Sequence, residues 1–178
     1  MNHNLNIEKR PSLTEEQNKV VEEVNLREYK TYLLYGVTGS GKTEVYMNLI
    51  ERVIKSGKRA LFLVPEISLT AQMIERFYKR FSSSVAIFHS GLSNGEKYDE
   101  YQKIYRGEVS IVVGTRSAIF TPLKDIGIII LDEEHSSTYK QDTTPKYNAI
   151  DVAKWRGRYN NCPVILGSAT PLITDMTM

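Results

Sequence analysis

Cysteine is almost absent: Cys162 is the only one in 178 residues. A single thiol excludes a disulfide within the chain and a cysteine-built zinc site, so no zinc is expected here. Cys162 stands in an apolar run, Cys162-Pro163-Val164-Ile165-Leu166, as a small buried hydrophobe would. Long hydrophobic runs are also missing. No stretch approaches the roughly 20 apolar residues that span a bilayer. The first dozen residues are polar and lack the apolar centre of a signal peptide. The expectation is a cytoplasmic protein with no membrane partner. Neither sign of charge predominates, since 23 Lys and Arg face 21 Asp and Glu for a formal net charge of +2. That balance neither requires nor excludes nucleic acid, because a local groove of Lys and Arg holds phosphates on a nearly neutral protein. Internal repeats and low-complexity tracts are lacking as well.

The length suits one domain able to bury its own core. Residues 1–12 read as a polar arm, and residues 13–178 as the folded unit. Apolar runs rich in β-branched residues recur along that unit: Thr31 to Tyr35, Arg59 to Val64, Ser84 to Phe88, Val109 to Val113, Ile126 to Leu131 and Pro163 to Leu166. Continuous runs of this kind suit strands covered on both faces, as in a parallel sheet. The stretches between them read as helices. Leu69, Met73, Phe77 and Phe81 repeat every four residues, as do Val45, Leu49 and Val53, and Tyr46, Ile50 and Ile54. Gly57 closes the latter helix, and Thr14-Glu15-Glu16-Gln17 is a capping box that opens an N-terminal one. Strands alternating with helices predict an α/β, doubly wound fold, with a mostly parallel sheet and helices on both faces.

Two motifs carry chemistry. Gly36-Val37-Thr38-Gly39-Ser40-Gly41-Lys42-Thr43 fits the P-loop pattern, directly after a strand and directly before a helix. Its glycines let successive N–H groups face phosphate oxygens, and the helix start adds its positive dipole end. Lys42 would sit between the β- and γ-phosphates of ATP, and Thr43 would offer its hydroxyl to Mg²⁺. The pattern alone says only that a nucleotide binds, because kinases, GTPases, transporters and motors share it. The second motif, Asp132-Glu133-Glu134-His135, follows the apolar strand at Ile128 to Leu131. A buried strand ending in carboxylates delivers them to the edge where open α/β sheets bind ligands. Asp132 would hold Mg²⁺ and Glu133 would orient and deprotonate the attacking water.

Asp132-Glu133-Glu134-His135 resembles the box of the DExH branch of superfamily-two helicases. Ser168-Ala169-Thr170, after the last strand, resembles the helicase linkage motif. Gly114-Thr115-Arg116-Ser117 resembles the segment that touches the nucleic-acid backbone, for which hydroxyls and a guanidinium are suitable. Gln17 resembles the glutamine that reads adenine, accepting from its amino group and donating to a ring nitrogen. Longer segments narrow the resemblance. Those beginning at Gly36, Leu63, His89, Gly114, Asp132 and Leu166 occur in order, and together they resemble the PriA (primosomal protein N′) family of bacterial replication-restart helicases.

That resemblance implies a RecA-like P-loop NTPase lobe, using ATP and Mg²⁺ to move 3′ to 5′ on single-stranded or forked DNA. It implies primosome and replication-restart proteins as partners. It gives His135, Gln141, Ser168 and Thr170 a coupling role, and Thr115, Arg116, Ser117, Tyr139 and Lys140 contact with DNA. The loop from Ser136 to Lys146 would sense DNA, with Lys146 standing where the family commonly has Arg. The chain stops at Met178, just past Ser168-Ala169-Thr170, so a monomeric first motor lobe is expected. The alternative is a module that binds nucleotide and weakly binds DNA without turnover. A small-molecule kinase would explain the P-loop but neither the Asp132 box nor the Ser168 segment.

Overall fold

The computed structural model describes residues 13–35, 40–133 and 148–168. Within them lie six strands: β1 (Thr31–Tyr35), β2 (Arg59–Leu63), β3 (Val85–Phe88), β4 (Ile111–Gly114), β5 (Ile126–Glu133) and β6 (Val164–Ser168). All the pairings are parallel, in the order β1-β6-β5-β2-β4-β3. The strands are the expected ones with shifted ends. β4 begins two residues later than its apolar run, and β5 continues past Leu131 through Asp132 to Glu133 because β6 pairs with it that far.

The helices among the described residues are α1 (Glu15–Glu23), α2 (Ser40–Lys55), α3 (Ala71–Phe81), α4 (Asn94–Tyr105) and α5 (Ala149–Asn160). Their starts follow from local chemistry. The Thr14 hydroxyl accepts from the N–H of Gln17 while the Gln17 side chain accepts from the N–H of Thr14, which completes the capping box of α1. Ser93 and Glu96 do the same for α4. Thr70 caps α3, so Leu69 falls just outside the helix that its spacing suggested. Gly57, at φ +90°, turns the chain out of α2, a conformation that other residues adopt only with strain.

Both faces of the sheet are covered, and the strand period of two distributes the core. Ala60, Phe62, Ile111, Val113, Ile128, Ile130 and Ile165 pack with Val21 of α1, the apolar side of α2, and Phe77 of α3. Leu61, Leu63, Val112, Ile129, Leu131, Val164 and Leu166 pack with Ile104 of α4 and Ala149 and Ala153 of α5. Each fully buried large side chain contributes roughly 1.5–3 kcal/mol, which explains how a sheet with no disulfide holds together. Cys162 is buried on the second face, and burial pushes its thiol up to about 12, so it packs as a neutral hydrophobe. No helix among the described residues is long and apolar enough to cross a membrane.

Candidate functional site

Parallel strands bring all their C-terminal ends to one edge, and the chemistry-bearing residues gather there. β1 leads into the glycine-rich loop and α2 leaves it. β6 lies between β1 and β5, pairing Tyr35 with Ser168 on one side and Glu133 with Ser168 on the other. For α2 to reach the acidic end of β5, its side chains must therefore cross β6. Two of them do so. The Lys42 ammonium donates to Oδ1 of Asp132 at 3.0 Å, and the Tyr46 hydroxyl donates to the same oxygen at 2.8 Å. All three groups are buried; Lys42 is 4% and Asp132 8% exposed. The crossing is possible because residue 167, the register partner of Asp132, is glycine. A Cβ there would overlap the Tyr46 hydroxyl and stand 2.7 Å from Oδ1 of Asp132.

α1 is tied to the same place. The Gln17 side chain, whose oxygen completes the capping box, donates through Nε2 to the carbonyl of Gly41 at 3.2 Å. Thr43 follows Lys42 in the first turn of α2, half-buried. Glu44, 5% exposed, receives Arg80 at 2.7 Å and Arg76 at 3.4 Å, which fastens α2 to α3. Such a pair is invisible in sequence, since the partners stand 32 and 36 positions apart.

The other half of the edge belongs to β2, β4 and β3. Thr115 is buried and begins a 3₁₀ turn, Arg116–Phe120, in which Arg116 is half-buried and Ser117 exposed. The next turn over, Glu66–Ser68, carries Ile67 at 80% exposure, and its Glu66 accepts from the Ser90 hydroxyl at 2.7 Å. Behind the Thr115 segment, the Arg156 guanidinium of α5 donates to the carbonyls of Ile119 (2.7 Å), Thr121 (3.0 Å) and Leu123 (3.1 Å). Burial lowers the pKa of this guanidinium below its ordinary value. Neither Tyr46 nor Arg156 stands out in the sequence as a site residue: Tyr46 fits the apolar stripe of α2, and the acceptors of Arg156 stand 33 to 37 positions away.

The structure thus brings together Gln17, Gly41, Lys42 and Asp132, and it sets Ser168 at the adjoining strand end. Thr115, Arg116 and Ser117 sit along the same edge on the farther strands. Gly36, Val37, Thr38, Gly39, His135, Tyr139, Lys140, Gln141 and Thr170 lie outside the described residues, as do the side chains of Ser40 and Glu133.

Comparison with known proteins bears on the family and the fold. A family model described as "Type III restriction enzyme, res subunit" matches residues 9–173. The chain is 56% identical over 165 residues to the replication restart protein PriA of Bacillus subtilis (strain 168), and 52% identical over 169 residues to that of Synechocystis sp.. The matches cover 90% and 94% of this chain, but the chain spans only 20% of the length of either relative. Among solved structures, RecG bound to a three-way DNA junction superposes with a TM-score of 0.68 at 26% identity, over 91% of this chain and 21% of that one. A hypothetical ATP-dependent RNA helicase from Sulfolobus tokodaii gives 0.63 at 23% identity, over 90% and 47%. The six-stranded parallel sheet is the RecA-like fold of these helicases. On the match across residues 9–173, the chain belongs to the type III restriction enzyme res subunit family, as a RecA-like lobe similar to that of the PriA replication restart proteins.

Proposed function

We propose that this lobe binds Mg·ATP and couples its hydrolysis to movement of a DNA helicase, 3′ to 5′, during replication restart. The observation that carries the reading is the buried Lys42–Asp132 pair at 3.0 Å. A lysine following a glycine-rich loop and a carboxylate ending a buried strand are the phosphate cation and metal anchor of a P-loop enzyme. In this structure they neutralise each other. The residues fit magnesium: such an ion takes one or two carboxylates together with substrate phosphates, and the end of β5 offers one buried carboxylate. Bound magnesium would neutralise charge developing on the phosphates.

The roles divide as follows. Gly36 to Gly41 and the first turn of α2 cradle the phosphates, Lys42 pairs with them, and Thr43 and Asp132 hold the metal. Glu133 orients the attacking water and takes its proton. Gln17 reads adenine; its link to Gly41 joins that end of the nucleotide to the phosphate loop. Thr115, Arg116, Ser117, Tyr139 and Lys140 contact DNA. His135, Gln141, Ser168 and Thr170 relay its presence to the nucleotide. The exposure of Ser117, the likeness to RecG bound to a DNA junction, and the PriA relatives support the DNA side of the reading. Primosome proteins are the expected partners and the cytoplasm the expected compartment.

Lys42→Ala in the full-length protein tests it. ATP hydrolysis measured with and without single-stranded DNA should fall by about 10²–10³, the loss of one strong charged contact in the transition state. Unimpaired DNA-stimulated hydrolysis would remove the phosphate role from this loop.

A further inference from the structure

Tyr46 is fully buried and takes a core position in α2, yet its hydroxyl is committed to a carboxylate. It donates to Oδ1 of Asp132 at 2.8 Å, the oxygen that also receives Lys42 at 3.0 Å. It reaches there through the gap left by Gly167 on the intervening strand. The ring cannot readily shift, because it packs on Phe62 at 5.3 Å between centroids, and Phe62 packs in turn on Phe77 at 5.3 Å.

We propose that Tyr46 is a positioning residue for the metal-binding carboxylate, holding Asp132 in place when Lys42 turns to phosphate. The proposal rests on the Mg·ATP reading above. One ammonium group cannot neutralise Asp132 and the nucleotide phosphates alike. When Lys42 turns to phosphate, the buried carboxylate loses that contact and must still face the metal in a fixed orientation. A phenol suits that task because it is neutral. It fixes one oxygen by a hydrogen bond and leaves the negative charge for the metal, whereas a second cation would cancel it. Partners of this kind orient metal ligands, and their loss typically weakens metal binding by about 10–100-fold. The hydroxyl also sits where α2, β5 and β6 meet, so the carboxylate's position is set by all three elements at once.

The test uses the full-length protein with Tyr46→Phe, Gly167→Ala and Lys42→Ala. Nucleotide binding is measured in EDTA and along a Mg²⁺ titration. Mn²⁺ binding in the presence of nucleotide is followed by electron paramagnetic resonance, and thermal unfolding is recorded without metal. Tyr46→Phe should bind nucleotide in EDTA as the parent does and melt near the parent's temperature. Its Mg²⁺ and Mn²⁺ requirement should rise about 10-fold or more, with hydrolysis recovering at high Mg²⁺. Gly167→Ala, whose Cβ would overlap the hydroxyl and crowd Oδ1 of Asp132, disturbs the contact from the other side and should shift the metal requirement in the same direction. A parent-like metal requirement in Tyr46→Phe beside an inactive Lys42→Ala overturns the positioning role alone. So does a loss of stability and nucleotide binding that no Mg²⁺ concentration restores. Full hydrolysis by Lys42→Ala overturns the Mg·ATP reading and the positioning role with it.

Discussion

Gln17 performs two tasks with one amide. Its oxygen accepts from Thr14 N–H to cap α1, and its nitrogen donates to the carbonyl of Gly41. Glutamate at this position separates the tasks. It keeps the acceptor that the capping box needs but has no N–H for Gly41, and it adds a negative charge near the phosphate loop. Gln17→Glu should therefore leave thermal stability nearly unchanged while weakening ATP binding about 10-fold, the order of one hydrogen bond lost beside a new repulsion. Isothermal titration alongside a melting curve checks both halves. A fall in melting temperature with unchanged ATP affinity would make Gln17 a helix cap and nothing more. At this scale sequence was informative where a residue's task is set by its neighbours along the chain. The capping box, the P-loop lysine and the carboxylate after a buried strand all declare themselves locally. Tyr46 and Glu44 do not, because their partners Asp132, Arg76 and Arg80 arrive from distant elements.

Among the elements, α5 has the least evident role in sequence, and its apolar pattern is weak. Its exposed side carries Trp155 stacked on Tyr159 at 5.6 Å; its fully buried residues are Ala149, Ala153 and Gly157, with Ile150 and Val152 partly buried beside them. What the helix contributes is Arg156, whose guanidinium gathers three carbonyls of the segment that begins with Thr115 and Arg116. Arg156→Ala would take its donor from the carbonyls of Ile119 and Leu123, at about 1–3 kcal/mol for each that water cannot reach, while the Thr121 carbonyl keeps the N–H of Leu123. Total destabilisation of about 2–4 kcal/mol is expected, and it should appear as a lowered denaturant midpoint with an unchanged slope. Arg156→Lys should recover little, since a point ammonium cannot span three acceptors as a planar fork does. Because the same segment carries Arg116 and Ser117, DNA affinity should fall in Arg156→Ala before the fold does, measured by fluorescence anisotropy in the absence of denaturant. Strand positions were legible from continuous β-branched runs. The order β1-β6-β5-β2-β4-β3 was not, because each strand is apolar on both faces and carries no mark of its neighbour.

For the molecule as a whole, the proposed function gives one sheet edge the task of forming one wall of a nucleotide site. Several cations among the described residues are engaged in other contacts. Arg76 and Arg80 hold Glu44, Arg59 holds Asp125 and two backbone carbonyls, Arg52 pairs with Glu22, and Arg156 clasps the 3₁₀ segment. In P-loop enzymes a transition-state arginine supplied from elsewhere raises the rate by about 10³–10⁵. Translocation further requires two bodies that open and close on the strand as the nucleotide changes. The 178-residue chain purified by itself should therefore bind Mg·ATP and hydrolyse it slowly with little stimulation by DNA. Its DNA affinity should be weak and should fall steeply with salt, since the phosphate contacts offered by one lobe are few and electrostatic. It should separate no strands. Equilibrium nucleotide binding, ATPase assays across a salt series and a forked-duplex unwinding assay would together decide the matter. Robust DNA-stimulated unwinding by this chain as a monomer would mean that the groups completing the site lie within it, and that the single-lobe account of its chemistry is wrong.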